Sequence, residues 1–310
     1  MNQHDPAPDT DDAAHEDGPR DFALALNGDH FARFTRRGPR LLVAFHATFD
    51  KDTPISRSES ALSALAEEQD WSQLTLTSRG NTWFRDSEVI AFIDALVDNS
   101  LLDRFDDTLF YGTGSAAHAA LSFALSAPLS RVLALAPQVQ IGAEAAAWDK
   151  RYPGLRTVDN IDRYLPVPDN LSAAEAVYAA YDPLVTEDTR HMQLLDAGSV
   201  MPLVTRRMGS NLEHILLEFG VLDDIVSDAM DGALNRPAFY RHLRARRDNL
   251  AYLRSLIGHL IDIDRPVPEA LVVRNVAERM QRGRYVRRLA EIEARLAKRG
   301  VTLPPSRNRV

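Results

Sequence analysis

"LFYGTGSAAHAA", residues 109–120, runs from an apolar strand pattern through three small residues into an alanine-rich helix pattern. "DDTLFYG" (106–112) reads as a buried strand, and "SAAHAALSFALSA" (115–127) reads as a helix of small residues that can lie close on a sheet. Between them stand Thr113 and Gly114, preceded by Gly112. A turn this tight drives a residue toward positive φ and brings helix and strand backbones together, so small residues on both sides are what it requires.

A strand–turn–helix of this kind is where the pattern G-x-S-x-G of the α/β-hydrolases places its nucleophile. Gly112 takes the first glycine place, Thr113 the next, Gly114 the nucleophile place and Ala116 the second glycine place. Gly114 holds a strained position at little cost but supplies no oxygen. Ser115 comes one residue late, where a working hydrolase gives a backbone N–H to its oxyanion hole. Three readings of Ser115 stand open: the N-cap of the following helix, a ligand to an anion or carbonyl at the helix N-terminus, or a displaced nucleophile with His118 or a distant histidine as base. "GTGSAA" also fits G-x-G-x-x-G/A, the dinucleotide fingerprint. That motif expects an acid about 20 residues on, at the end of the next strand. "RVLALAPQVQ" (131–140) ends without one, so no cofactor is expected.

Outward from the turn, "FALALNG" (22–28) reads as an edge strand, and "RLLVAFHA" (40–47), "WSQLTLTS" (71–78) and "RVLALAP" (131–137) as further strands. "AEAVYAAYD" (174–182) and "SVMPLVTR" (199–206) complete the set. Helical patterns cover 56–68, 85–105 with Asp86 or Ser87 as N-cap, and 187–198. Pro153, Pro166 and Pro168 mark a loop region. Beyond 206 only helices are predicted, over 210–219, 221–233, 237–262 and 267–299. Strands alternating with helices imply a doubly wound, mainly parallel sheet covered on both faces, here with a C-terminal helical extension. The expected organisation is an acidic, disordered tail over 1–20, an α/β-hydrolase-like domain over 21–220 and a basic helical extension over 221–310.

A serine triad in this fold runs Ser, then Asp or Glu, then His. Asp182 and Asp188 are both placed for the acid, although "YDP" is also an ordinary strand-ending turn and Asp188 also suits a helix N-terminus. Asp188 and His191 share a helix face at i,i+3, but a third metal ligand is not apparent, and no metal is expected. The histidine belongs after the strand at 199–206, where Gly209 and Ser210 stand instead and His214 follows one turn later. His46, at the end of 40–47, is placed to face the crevice at the strand ends.

The chain has 310 residues, 45% hydrophobic and 26% charged, with no cysteine. That excludes disulfides, thiolate metal sites and cysteine catalysis. The first 20 residues carry neither the basic nor the apolar region of a signal peptide, and no apolar run reaches the length of a membrane span, so a cytoplasmic protein without a membrane partner is expected. The net charge of −8 conceals an asymmetry: residues 236–310 hold eighteen Lys and Arg against seven Asp and Glu, a net of +11, leaving −19 on the rest. A basic tail over 236–299 can meet an anionic partner or dock on its own acidic body; nucleic acid is the weaker option.

"LFYGTGSAAHAALSFALSAPLSRVLALAPQVQI" followed by "WDKRY" resembles a family of bacterial α/β-hydrolase-like proteins whose typical elbow is YG-x-S-M-G-G-Y-A-A. In that family the next strand ends in S-P-Q, which Pro137 and Gln138 match. "YDP" with the later Asp188 and His191, and "GSNLEHILLEFG" (209–220), match later segments; the latter is similar to a stretch starting Gly-His, with Ser210 at the histidine position. The resemblance covers roughly 40–220 and is nearest to an alphaproteobacterial branch with a degenerate elbow, often labelled phosphoadenosine phosphosulfate reductase. Enzymes of that name reduce sulfur through a cysteine thiol, which this chain lacks. The expected function is therefore a non-catalytic hydrolase-like protein that binds a small ligand or protein partner near His46, Gly112, Gly114, Ser115, His118, Pro137 and Gln138. The alternative is a serine hydrolase using Ser115, His214 and either Asp182 or Asp188.

Overall fold

The apolar runs that the sequence marks as buried strands form the middle of one eight-stranded sheet. The computed structural model describes residues 20–142, 144–152, 163–165, 167–195, 198 and 200–305. The acidic tail, Arg20 apart, and Pro153 and Pro166 lie outside the described residues. The strands are β1 (Phe22–Ala25), β2 (His30–Thr35), β3 (Arg40–Thr48), β4 (Ser72–Arg79), β5 (Asp107–Thr113), β6 (Arg131–Leu135), β7 (Ala176–Tyr181) and β8 (Val200–Val204). Their order is β1-β2-β4-β3-β5-β6-β7-β8. β1–β2 and β2–β4 pair antiparallel, and every pair from β4–β3 to β7–β8 is parallel.

β2 is an addition to the sequence reading. Its buried positions, His30, Ala32 and Phe34, alternate with more exposed ones, which is a strand period. The turn before it is built by Asn27, whose Oδ1 accepts the N–H groups of Asp29 and His30.

The helices are α1 (Ser63–Glu68), α2 (Ser87–Asp98), α3 (Ser115–Phe123), α4 (Val167–Asn170), α5 (Thr186–Met192), α6 (Leu212–Glu218), α7 (Leu222–Met230), α8 (Arg236–His242), α9 (Leu250–Asp262), α10 (Pro266–Met280) and α11 (Gly283–Ala297). Asp86 caps α2, accepting from the Glu88 N–H at 3.1 Å. One sheet face buries Val43, Phe45, Leu74, Leu76 and Phe110 against α2 and α3. The other buries Leu42, Ala44, Leu109, Leu133 and Leu203 against α1 and α6–α8, a cluster that draws on residues through Leu243.

Two expected helices are each divided. The one over 237–262 breaks after α8 into a 3-10 turn, and Asn249 then caps α9 by accepting from the Tyr252 N–H at 2.9 Å. The one over 267–299 breaks at Gln281, whose φ is +48°. α9, α10 and α11 share a small core of their own, with Leu253, Ile257, Val273, Val276, Ile292 and Leu296. Tyr252 joins that core to the sheet domain, meeting Phe219 edge-on. Part of the basic charge of this region is matched within the chain: Arg279 pairs with Asp248, and Arg274 with Glu293.

The ion pairs centre on Glu269, which is buried at 1% exposure and accepts from Arg288 and Arg295. Both arginines keep substantial contact with water, so the cost of losing the carboxylate is moderated by solvent. Glu269→Ala is expected to cost about 1–2 kcal/mol of local stability. Faster amide hydrogen exchange confined to α9–α11 would show it; unchanged exchange there would refute it.

Candidate functional site

The turn between β5 and α3 has the shape the sequence demands. Gly114 sits at φ +57°, ψ −116° and caps α3. A Cβ on Gly112 would stand 2.3 Å from the Ala116 carbonyl oxygen and 2.7 Å from the Ala117 nitrogen, so only glycine lets the helix start there. A Cβ on Gly114 would meet nothing closer than Gln138 Nε2 at 3.6 Å. Gly114 thus has room for a side chain and lacks one. A sheet ordered 1-2-4-3-5-6-7-8, parallel from the fourth strand on, with this turn after the fifth strand, decides the architecture.

The fold is that of the α/β-hydrolases. Its helical C-terminal region is α7–α11.

Within this fold Ser115 is not the N-cap. It is the first residue of α3, it is buried, and its Oγ donates to Asn81 Oδ1 at 2.8 Å. The cap place went to Gly114 because the positive φ of the turn falls there. Asn81 belongs to the loop after β4, which also presses Trp83 onto the site: Trp83 Nε1 donates to Gln138 Oε1 at 2.6 Å. Trp83 and Phe84 both have positive φ, a backbone strain held by this packing. Pro137 is buried.

His118, expected to reach a ligand, is fully buried, and its Nδ1–H donates to the Gln138 carbonyl at 2.9 Å. Burial, and secondarily the nearby Arg85 charge, push its pKa down to about 3, so the ring stays neutral. It is a packing residue under the turn and makes no hydrogen bond to Ser115.

The expected triad partners are not brought together. Asp182 Oδ1 accepts from the Leu184 N–H and Oδ2 from the Gly209 N–H at 2.8 Å, so this carboxylate ties the loops after β7 and β8. His214 is 62% exposed and its Nε2 pairs with Glu218 one turn along α6. Among the described residues it makes no hydrogen bond to Ser115. Asp188 is buried and bonds Arg151 Nη1 at 2.7 Å and Ser210 Oγ at 2.7 Å.

Arg151 is the centre of a charged network with Asp149, Asp188 and Ser210. Its guanidinium forks onto Asp149 through Nε and Nη2, and bonds Asp188 and Ser210 through Nη1. Asp149 also accepts from His191 Nε2 at 3.2 Å. His191 Nδ1 accepts the N–H groups of Val139 and Gln140, which fixes the proton on Nε2. Burial lowers the His191 pKa, against the pull of Asp149, and a neutral ring is what two backbone donors require. Ser210, which the sequence resemblance sets against a family histidine, is held in an arginine–carboxylate network. Asn81, Asp149 and Arg151 were missed as site residues from sequence; the charged triplet inside "WDKRY" was the available signal.

His46 does lie at the strand ends and is half-buried. Burial lowers its pKa and the Glu213 charge opposes that. Glu213, at the start of α6, accepts from the buried Tyr111 hydroxyl at 2.7 Å.

No protein-family model matches the chain, and no curated protein matches it. Among solved structures it is similar to the capsule O-acetyltransferase of Neisseria meningitidis serogroup A, at 12% identity and a TM-score of 0.44, over 66% of this chain and 94% of that one. It is also similar to carboxyl esterase 2 of Tuber melanosporum, at 14% identity and 0.44, over 71% and 86%. A third is a hyperthermophilic esterase of Pyrobaculum calidifontis, at 12% identity and 0.44, over 69% and 81%. Among the described residues, no helix is long and apolar enough to cross a membrane.

Proposed function

We propose that this chain is a non-catalytic α/β-hydrolase-fold protein that binds a small ligand or a protein partner in the crevice at the ends of β3, β5 and β7. The observation that carries the reading is Gly114: the elbow keeps its strained backbone and has no nucleophilic oxygen. Support comes from Ser210 and Asp188, which are bound to Arg151 where a hydrolase would assemble its base and acid. Thiol-based sulfur reduction has no cysteine to run on.

Acyl transfer needs an activated oxygen within hydrogen-bond reach of a base. Ser115 Oγ is instead bonded to a side-chain amide oxygen, which accepts its proton in a hydrogen bond but cannot remove it. The N–H groups that open α3 remain suited to a carbonyl or carboxylate group.

The test is labelling of the folded protein with a fluorophosphonate, read by intact mass and peptide mapping. No adduct is expected on the wild type, nor on Gly114→Ser, which restores the oxygen but not the base. An adduct on Ser115 of the wild type would overturn the reading and make this a serine hydrolase with a displaced nucleophile.

A further inference from the structure

A second cavity, of about 310 Å³, lies between the outer part of the sheet and the segment 58–67. None of Gly114, Ser115, Gln138 or Arg151 lines it. The strand register shows how it arises. β4 puts Leu74 and Leu76 on the core face opposite Phe34 and Ala32 of β2. The alternate positions Gln73, Thr75 and Thr77 point to the other face, paired across the ladder with Thr35, Arg33 and Phe31. All six line the cavity.

This is an unusual face for a covered sheet. Gln73, Thr75 and Thr77 are at most 8% exposed, and what surface they keep faces the cavity. Among the described residues, neither threonine hydroxyl has a hydrogen-bond partner in the protein, and Gln73 Nε2 has only a long 3.4 Å contact to Ser63 Oγ, so these groups keep their hydrogen-bonding capacity for what enters the cavity. Water in the cavity meets these groups, and a ligand that displaces it must supply the same donors and acceptors. The three side chains face an opening within the size range of small-molecule sites.

The lining also selects the chemistry. Arg33 and Arg37 are balanced by Glu59 and Glu67, so the walls present two charges of each sign and favour no ion over its opposite. Hydroxyls, an amide and opposed fork-shaped charged groups together offer both donors and acceptors to a partner rich in hydroxyls. Phe31 adds an aromatic ring, with the Arg33 guanidinium 5.9 Å from its centre.

We propose that this cavity is a binding site for a small, neutral, polyhydroxylated ligand of the monosaccharide class. The site is independent of the crevice and of whether the elbow is catalytic.

The experiment is saturation-transfer NMR on the full chain with D-glucose, D-galactose and N-acetyl-D-glucosamine, and with glycine and acetate as zwitterionic and anionic probes. Transfer to at least one sugar is expected for the wild type and for Gly114→Ser. In Thr75→Val/Thr77→Val, affinity for that sugar should fall at least tenfold, while Thr75→Ser/Thr77→Ser keeps it. Tm of the valine variant should stay close to that of the wild type, because an isosteric methyl replaces a hydroxyl that had no partner within the protein. The proposal is overturned if no sugar shows transfer, if only glycine or acetate responds, or if the valine variant binds as the wild type does. A lower Tm in the valine variant overturns it as well, since the hydroxyls would then already be satisfied within the protein.

Discussion

Gly112→Ala is expected to cost about 3 kcal/mol or more, the upper range for forcing a methyl group into a closed space. The new Cβ would stand 2.3 Å and 2.4 Å from the carbonyl oxygen and carbon of Ala116 and 2.7 Å from Ala117 N. These are backbone atoms of the first turn of α3, so no rotamer can relieve the contact. α3 would have to move away from β5, and it is buried along its whole length, with Ala116, Ala117, Ala119 and Ala120 fully enclosed. Gly114→Ser is the instructive comparison. It places a side chain at φ +57°, ψ −116°, at a strain of about 1–3 kcal/mol, but meets no atom closer than 3.6 Å. Urea denaturation of both variants should rank Gly112→Ala well below Gly114→Ser. The reverse order would mean that the helix does not approach the strand as described.

Arg151→Met should be of similar size, about 3–5 kcal/mol at neutral pH, because it leaves two buried carboxylates without their cation. Asp149 is fully buried and Asp188 is 2% exposed. Burial pushes the Asp149 carboxyl up, but the hydrogen bonds and charge of Arg151 outweigh it and hold the group below its usual 3.8. A carboxylate with a depressed pKa in the folded state stabilises the fold above its unfolded pKa. That contribution is lost as pH falls through the folded value. The gap between wild type and Arg151→Met should therefore be widest near pH 7 and should narrow below about pH 4. Chemical denaturation across that range measures it. A gap that stays constant with pH would rule out this origin. Adding Asp149→Asn and Asp188→Asn to Arg151→Met should recover part of the loss, since the uncompensated charges are then gone.

The central strands and the turn were legible because their causes are local. Continuous apolar runs at 41–45 and 132–136 have no stable place except the middle of a covered parallel sheet. Gly112 and Gly114 stand out because few sequences need two small residues there. β2 was hidden: it is six residues long, mixes Arg33 and Thr35 with its apolar positions, and declares itself only by pairing with β4. The breaks near Asn249 and at Gln281 were hidden too. Helical periodicity continues across both, and only the packing of three helices on one small core requires the chain to turn.

The site divides in the same way. That Gly114 stands at the turn, that Ser210 follows Gly209 and that the chain has no cysteine are facts of covalent order, and the sequence alone determined them. It also determined the fold class, because hydrophobic period and turn chemistry act over a few residues. Which groups meet was decided only by the tertiary structure. His191 and Asp149 are 42 residues apart, Arg151 and Ser210 are 59 apart, and Ser115 and Asn81 are 34 apart. Asp182 and Asp188 looked equally fit as triad acids in one dimension; in three, one fastens two loops and the other fastens Arg151. Contacts over such separations depend on where the whole sheet places its loop ends, and no local pattern carries that information.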